Sequence, residues 1–196
     1  NVFRNSRSID YENRYTELTF GYEDDRVDYL SLSGDDEEDR ENIRWISYRQ
    51  HFFSAILIPE SSIKIVNLKS RDLSGDQILE EKFTKYFESS YLLPKQGENI
   101  NTKFKFYYGP TDYKTLQNLE GDLEASIPMG WGIFGWINKF IFLPLFGFLS
   151  SFLSYGIAII VMTIIVRLLM SPVTYKSYVS QIKMKVLRPD IEAISA

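Results

Sequence analysis

Cysteine is absent from the 196-residue chain and histidine occurs once. No phosphate-binding loop, serine elbow or zinc-ligand spacing occurs either. The missing cysteines exclude disulfides, thiolate metal sites and a cysteine nucleophile, and are compatible with an extracytoplasmic domain. The missing motifs leave no positive case for an enzyme, and no cofactor is expected. The lone His51 stands in an aromatic, strand-like run without a second histidine or a patterned carboxylate beside it, so it reads as a packed or hydrogen-bonded side chain. Charge is also missing over a long stretch. Residues 127–170 contain only Lys139 and Arg167 as charged side chains. A chain with that stretch is expected to be membrane-bound.

The remaining charges divide along the chain. Residues 1–130 hold 16 Lys or Arg against 24 Asp or Glu, a net of −8, whereas residues 131–196 hold 6 against 2, a net of +4, which together give the −4 of the whole. The first part reads as a water-soluble domain large enough to hold a core, the second as a membrane module with a basic tail. The chain opens at Asn1 with no basic-then-apolar leader and stops within a helical pattern at Ala196, which reads as an internal piece of a longer polypeptide.

In the first part, alternation of apolar and polar residues around 15–20 and 27–30 predicts strands with one buried face. Residues 34–42 (GDDEEDREN) read as a solvated acidic loop, without the ligand order of a calcium loop. The strongest strand candidate is 43–58, long enough for two strands or one bent strand and closed by Pro59. Residues 63–68 and 103–108 are further strands, and 78–89 fits either helix or strand. From Thr111, a possible cap, Leu116, Leu119 and Leu123 recur at helical spacing. The domain is therefore expected to be mostly β, a sandwich with a closing helix.

A single helix over 131–170 would reach about 60 Å, twice the hydrocarbon thickness of a bilayer. Two arrangements remain: a hairpin of two spans, or an interfacial helix followed by one span. Trp131, Trp136 and Lys139 flank apolar residues as at headgroup level, and a break is expected at Pro144. That pattern favours an interfacial amphipathic helix over 128–147 and a span over 148–171. Lys176, Lys183, Lys185 and Arg188 follow closely and place the tail in the cytoplasm. With one span the β domain, residues 1–127, lies on the opposite side. Pro172 is expected to break the helix and start a new, cytoplasmic one over 172–196. Arg167 has two readings. It either snorkels from near the end of the span or serves as a functional intramembrane charge.

The tail Arg167-Leu-Leu-Met-Ser-Pro172-Val-Thr174, followed by Lys183-Met184-Lys185-Val-Leu187-Arg-Pro189, resembles the YidC/Oxa/Alb family of membrane protein insertases. Gly130-Trp131, Tyr108-Gly109-Pro110 and Gln50-His51-Phe52-Phe53 are similar, more weakly, to the end of the periplasmic domain of Gram-negative members. Val173 and Tyr175 depart from residues frequent at those places. The resemblance implies a partial periplasmic β-supersandwich, an interfacial helix, the first core span and the first arm of a cytoplasmic helical hairpin. It also implies an insertase and chaperone of the bacterial inner membrane, multi-pass in full length and not an enzyme. Its partners would be nascent membrane proteins, the Sec translocon, the ribosome and the lipid bilayer. The matching arginine of the family faces a hydrophilic groove, so Arg167 becomes the groove charge, with Thr163 and Ile164 lining the groove beside it. Lys176, Lys183, Lys185 and Arg188 would be cytoplasmic basic contacts. The competing expectation is a single-span anchor whose periplasmic β-sandwich binds glycan or protein.

Overall fold

The computed structural model describes residues 1–4, 8–76, 78–93 and 102–194, with side chains as far as residue 185. The chain forms two compact units, 1–128 and 129–196. The first contains β1 (Val2–Phe3), the short helix α1 (Ile9–Asn13), β2 (Glu17–Tyr22), β3 (Val27–Tyr29), β4 (Asp36–Arg49), β5 (Phe53–Pro59), β6 (Ile63–Asp72), β7 (Phe83–Tyr91) and β8 (Phe104–Pro110). Helix α2 (Tyr113–Gln117) and a 3₁₀ turn at Leu123–Ser126 follow.

All strand pairs are antiparallel and belong to one sheet, organised by the long strand β4. One edge of β4 carries β2. Its other edge carries β6 along residues 36–43 and β5 along 46–49, so the sheet forks into a β6–β7–β1 branch and a β5–β8 branch. Across β2 the register shifts: Gly21 faces Trp45 but Tyr22 faces Ile43, leaving Arg44 as the extra residue of a bulge. An added residue reverses which side chains face inward. Ile43 and Ile46, three apart, therefore enter the same core. That core draws Leu18 and Phe20 from β2 and Leu57, Val66 and Leu68 from the two branches, with Phe87, Tyr91 and Phe104 packed against it. Each such side chain, fully buried, contributes about 1.5–3 kcal/mol. The β domain expected from the alternation is thus present as a forked antiparallel sheet.

The opposite face of β4 buries Trp45 with Ile56, Leu116 and Leu123. The expected closing helix is two separate turns. Helix α2 is capped by Asp112, not Thr111; the Asp112 carboxylate accepts from the Thr115 amide at 2.9 Å. Gly121 and Asp122, at φ of 103° and 53°, then turn the chain so that Leu123 returns to Trp45. Leu116 and Leu123 reach one cluster from these separate turns, not from one helix face, and Leu119 is exposed.

The expected acidic loop is a strand. Residues 36–41 pair with 65–70 of β6, and the acids stand beside partners supplied from that strand. Glu37 receives the Lys69 ammonium at 2.8 Å and Asp39 the Asn67 amide at 2.9 Å. Those partners lie about thirty residues away and are invisible to a local reading. The ambiguous region 78–89 is a turn followed by β7; Asp76 caps the start of the turn, accepting from the Ile78 and Leu79 amides at 3.1 Å. These two bonds hold the Asp76 carboxyl below its usual pKa. His51 lies between the rings of Tyr15 and Phe52, at centroid distances of 4.1 and 4.0 Å, a packed aromatic position.

In the second unit α3 (Ile133–Ile137), a π-helical turn (Asn138–Phe142) and α4 (Leu143–Ser150) join end to end. The turn 129–132 folds back on this helix. Asn138 Nδ2 donates to Met129 O at 2.7 Å, and a β-carbon on Gly135 would stand 2.5 Å from Gly130 O. Pro144 does not break the helix as expected. The wider turn before it lets the Leu143 amide bond Asn138 O, five residues back, so the proline enters where the ladder is already re-phased.

The segment 148–171 is likewise not one helix. After α4 the chain turns over 151–154, and α5 runs from Tyr155 to Ile194. The Ser151 and Phe152 amides bond Phe148 O and Leu149 O, three residues back, at 3.3 and 3.4 Å, a tightened last turn by which the chain leaves α4. Both Ile133–Ser150 and the stretch Tyr155–Lys185 are long and apolar enough to cross a membrane. Helix α5 also passes through Pro172, where a break was expected. A proline inside a helix removes one hydrogen bond and bends the rod without necessarily ending it.

Candidate functional site around Arg167

The candidate site is built on α5, whose partner within the unit is α4. Leu149 of α4 and Ala158 of α5 are buried, and the rings of Phe146 and Tyr155 lie 6.1 Å apart. Met162 and Ile165, one and two turns beyond Ala158, are half-buried on the same side. At 3.6 residues per turn, the nine residues from Ala158 to Arg167 amount to about two and a half turns. Arg167 therefore projects from the face opposite the α4 seat, and it is exposed.

Thr163 and Ile164 precede Arg167 by four and three residues and are also exposed, so one face of α5 brings the three together. The Thr163 hydroxyl donates to Ile159 O at 2.8 Å, bonded back to its own helix. Its lone pairs remain directed outward. Among the described residues Arg167 has no carboxylate partner. From Tyr155 to Arg167 is about 18 Å along the axis, and from Arg167 to Thr174 roughly 10 Å.

Two residues that the sequence reading passed over share this face. Ser171 and Thr174 follow Arg167 at four and seven residues, the spacing by which they were recognisable. Thr174 Oγ1 donates to Met170 O at 3.0 Å. The basic residues beyond separate by phase: Lys185 returns to the Arg167 side, whereas Lys176 and Lys183 fall on the Ala158 side. The side chain of Arg188 lies outside the described residues. Trp131 is 91% exposed, and Trp136 packs on Phe140 at 5.6 Å between centroids, an aromatic ridge on α3 and the π turn beside Lys139.

Comparison with known proteins gives this membrane unit its relatives. Residues 4–144 match the family model described as the YidC periplasmic domain, and 146–196 match that of the 60Kd inner membrane protein. The chain belongs to the YidC family. A curated relative from Parabacteroides distasonis, named membrane protein insertase YidC, is 38% identical over 95% of this chain and 30% of its own length. Relatives of the same name from Azobacteroides pseudotrichonymphae and Bacteroides fragilis are 35% and 36% identical, each over 94% of this chain and 31% of their own length. The chain therefore spans about a third of the length of these relatives. Thr163, Ile164, Arg167 and Pro172 all lie within the inner-membrane-protein match, whereas the YidC periplasmic model extends past the β domain through α3 and the π turn.

Proposed function

We propose that this chain is the part of a membrane protein insertase and chaperone in which α5 offers incoming polypeptides a polar face centred on Arg167. The observation that carries the reading is the position of this side chain: a cation about 18 Å along an apolar helix, turned away from the neighbour it packs on, with Thr163 and Ile164 beside it. A charge at such depth costs roughly 2.5–3.5 kcal/mol on insertion scales and belongs in a protein interior or a wet cavity. The relatives' name supplies the use for such a cavity.

A newly made membrane protein has a hydrophilic tail that must cross a low-dielectric layer. A hydrated half-channel with one fixed cation shortens the dry path and favours carboxylates. Apolar residues on the flanks of α5 then pass the client's hydrophobic segment into lipid, with no covalent bond made or broken. In this reading the β domain is periplasmic, the helix bearing Trp131, Trp136 and Lys139 lies at the interface, and α5 crosses the inner membrane. Its basic end, with Lys176, Lys183, Lys185 and Arg188, meets the cytoplasm, anionic lipid and the ribosome. The full protein works alone or beside the Sec translocon.

In the full-length protein, Arg167→Ala is expected to slow insertion of a client with an acidic tail, and Arg167→Lys to retain most of the rate. Equal insertion by wild type and Arg167→Ala, at equal protein levels, refutes the role of the cation.

A further inference from the structure

The helix that begins at α3 has two unlike sides. Ile133, Phe134, Trp136, Phe140 and Ile141 are exposed apolar side chains. Gly135 and Asn138, three apart and so on one face, instead carry the turn 129–132, which lies back along the helix as a strap. Three glycines make that fold possible. Gly130 and Gly132 hold φ of 98° and 57°, and Gly135 leaves room for Gly130 O, which would stand 2.5 Å from a β-carbon there. The Asn138 amide closes the strap by donating to Met129 O at 2.7 Å, and both residues are half-buried. From Ile133 to Leu149, Asn138 and Lys139 are the strongly polar side chains. A lysine stem is long enough to carry its ammonium to the headgroups, whereas the short asparagine side chain must find its partner locally. The strap supplies that partner.

We propose that this strap sets the depth at which α3 and α4 lie in the lipid boundary. Latched, it satisfies Asn138 where it stands, and the helix beds its apolar side chains among the acyl chains. Unlatched, the Asn138 amide and the Met129 carbonyl both need water, because a polar group without a partner in hydrocarbon costs several kcal/mol, and the helix rises toward the headgroups. The proposal rests on the reading that this helix lies at the interface, and adds to it what fixes its level.

The test uses the full-length protein without other cysteines, in phospholipid vesicles, with a nitroxide on Ile141→Cys. Collisions with oxygen, which concentrates in hydrocarbon, and with a water-soluble nickel chelate give the depth of the label. Gly135→Ala drives Gly130 O away, and Gly132→Ala opposes the φ of 57° and ψ of −125° that the turn needs. Each adds a methyl group and would sink a helix governed by apolarity alone. Each is instead expected to raise the label by about 5 Å, the least depth to which interfacial helices bury their apolar face. Adding Asn138→Ala to Gly135→Ala removes the uncovered amide and is expected to return the label most of the way. An unchanged or deeper label in the two glycine variants, or a double variant as shallow as Gly135→Ala alone, overturns the proposal. A wild-type label found in water or at the bilayer midplane refutes the interfacial reading itself, and the strap's role with it.

Discussion

Gly21 and Trp45 provide the sharpest test of how the β domain is held together. They face each other across β2 and β4, and the indole lies over the glycine. A β-carbon at position 21 would stand 2.5 Å from Trp45 Nε1 and 2.7 Å from Cζ2. Carbon contacts are comfortable at about 3.5–4.0 Å, so the overlap approaches 1 Å. Trp45 is only 1% exposed and is backed by Ile56, Leu116 and Leu123, which leaves the ring no direction of retreat. Overpacking of this kind costs about 1–3 kcal/mol. With a urea dependence of roughly 2 kcal/mol per molar, Gly21→Ala should lower the midpoint of β-domain unfolding by about 0.5–1.5 M. Pulse proteolysis in urea, reading the surviving β-domain fragment of the full-length protein, measures the shift. Trp45→Leu costs stability alone, yet combined with Gly21→Ala it should be less destabilising than the sum, by about 1 kcal/mol or more. An unchanged midpoint for Gly21→Ala, or strict additivity, refutes the argument that the ring occupies the glycine's place.

Other expectations concern buried charge in the same domain. Glu17 and Arg49 form an ion pair across β2 and β4 with only 7% of each side chain exposed. Arg49→Met strands a buried carboxylate and should destabilise by about 3–5 kcal/mol, whereas Glu17→Leu with Arg49→Met should recover most of that loss in the same urea assay. Lys85 is buried, donates to Leu32 O at 2.6 Å, and its pKa is lowered by desolvation, a shift partly opposed by Asp72 and Glu17. Its folded pKa lies below its unfolded one, so the unfolded chain binds the proton more tightly and stability rises with pH between the two values. The midpoint of wild type relative to Lys85→Met should therefore climb as pH passes from the lowered value toward the ordinary 10.5. A difference independent of pH across that window contradicts the cause assigned to the shift.

Sequence patterns that depend on near neighbours were legible. Alternation located β2, β5, β6 and β8, and helical spacing placed Thr163, Ile164 and Arg167 on one face of α5. What escaped depends on partners distant in the chain or on compensation in the backbone. The acids of 36–41 look like a loop until Asn67 and Lys69 are set beside them. Pro144 and Pro172 read as breaks because a local rule counts the lost amide and omits the π turn that absorbs one and the continued ladder that tolerates the other. The end of α4 at Ser150 was hidden inside a stretch of uniform apolarity, where hydropathy cannot distinguish helix from turn. Thr174 was visible by spacing and was passed over because the helix was expected to stop at Pro172; Ser171 lay inside the expected span, at the same face spacing from Arg167.

The measurement that bears most directly on the central claim, that the Arg167 face of α5 meets incoming membrane proteins, places a photocrosslinker at Thr163 of the full-length protein. Ribosome-stalled nascent chains of a short single-span client then present successive lengths. Crosslinks that appear and fade with client length, and that are absent from a probe at Met162 on the α4 side, are the predicted result. Insertion that proceeds with no crosslink at Thr163 contradicts the claim and leaves Arg167 as a side chain that snorkels to the headgroups.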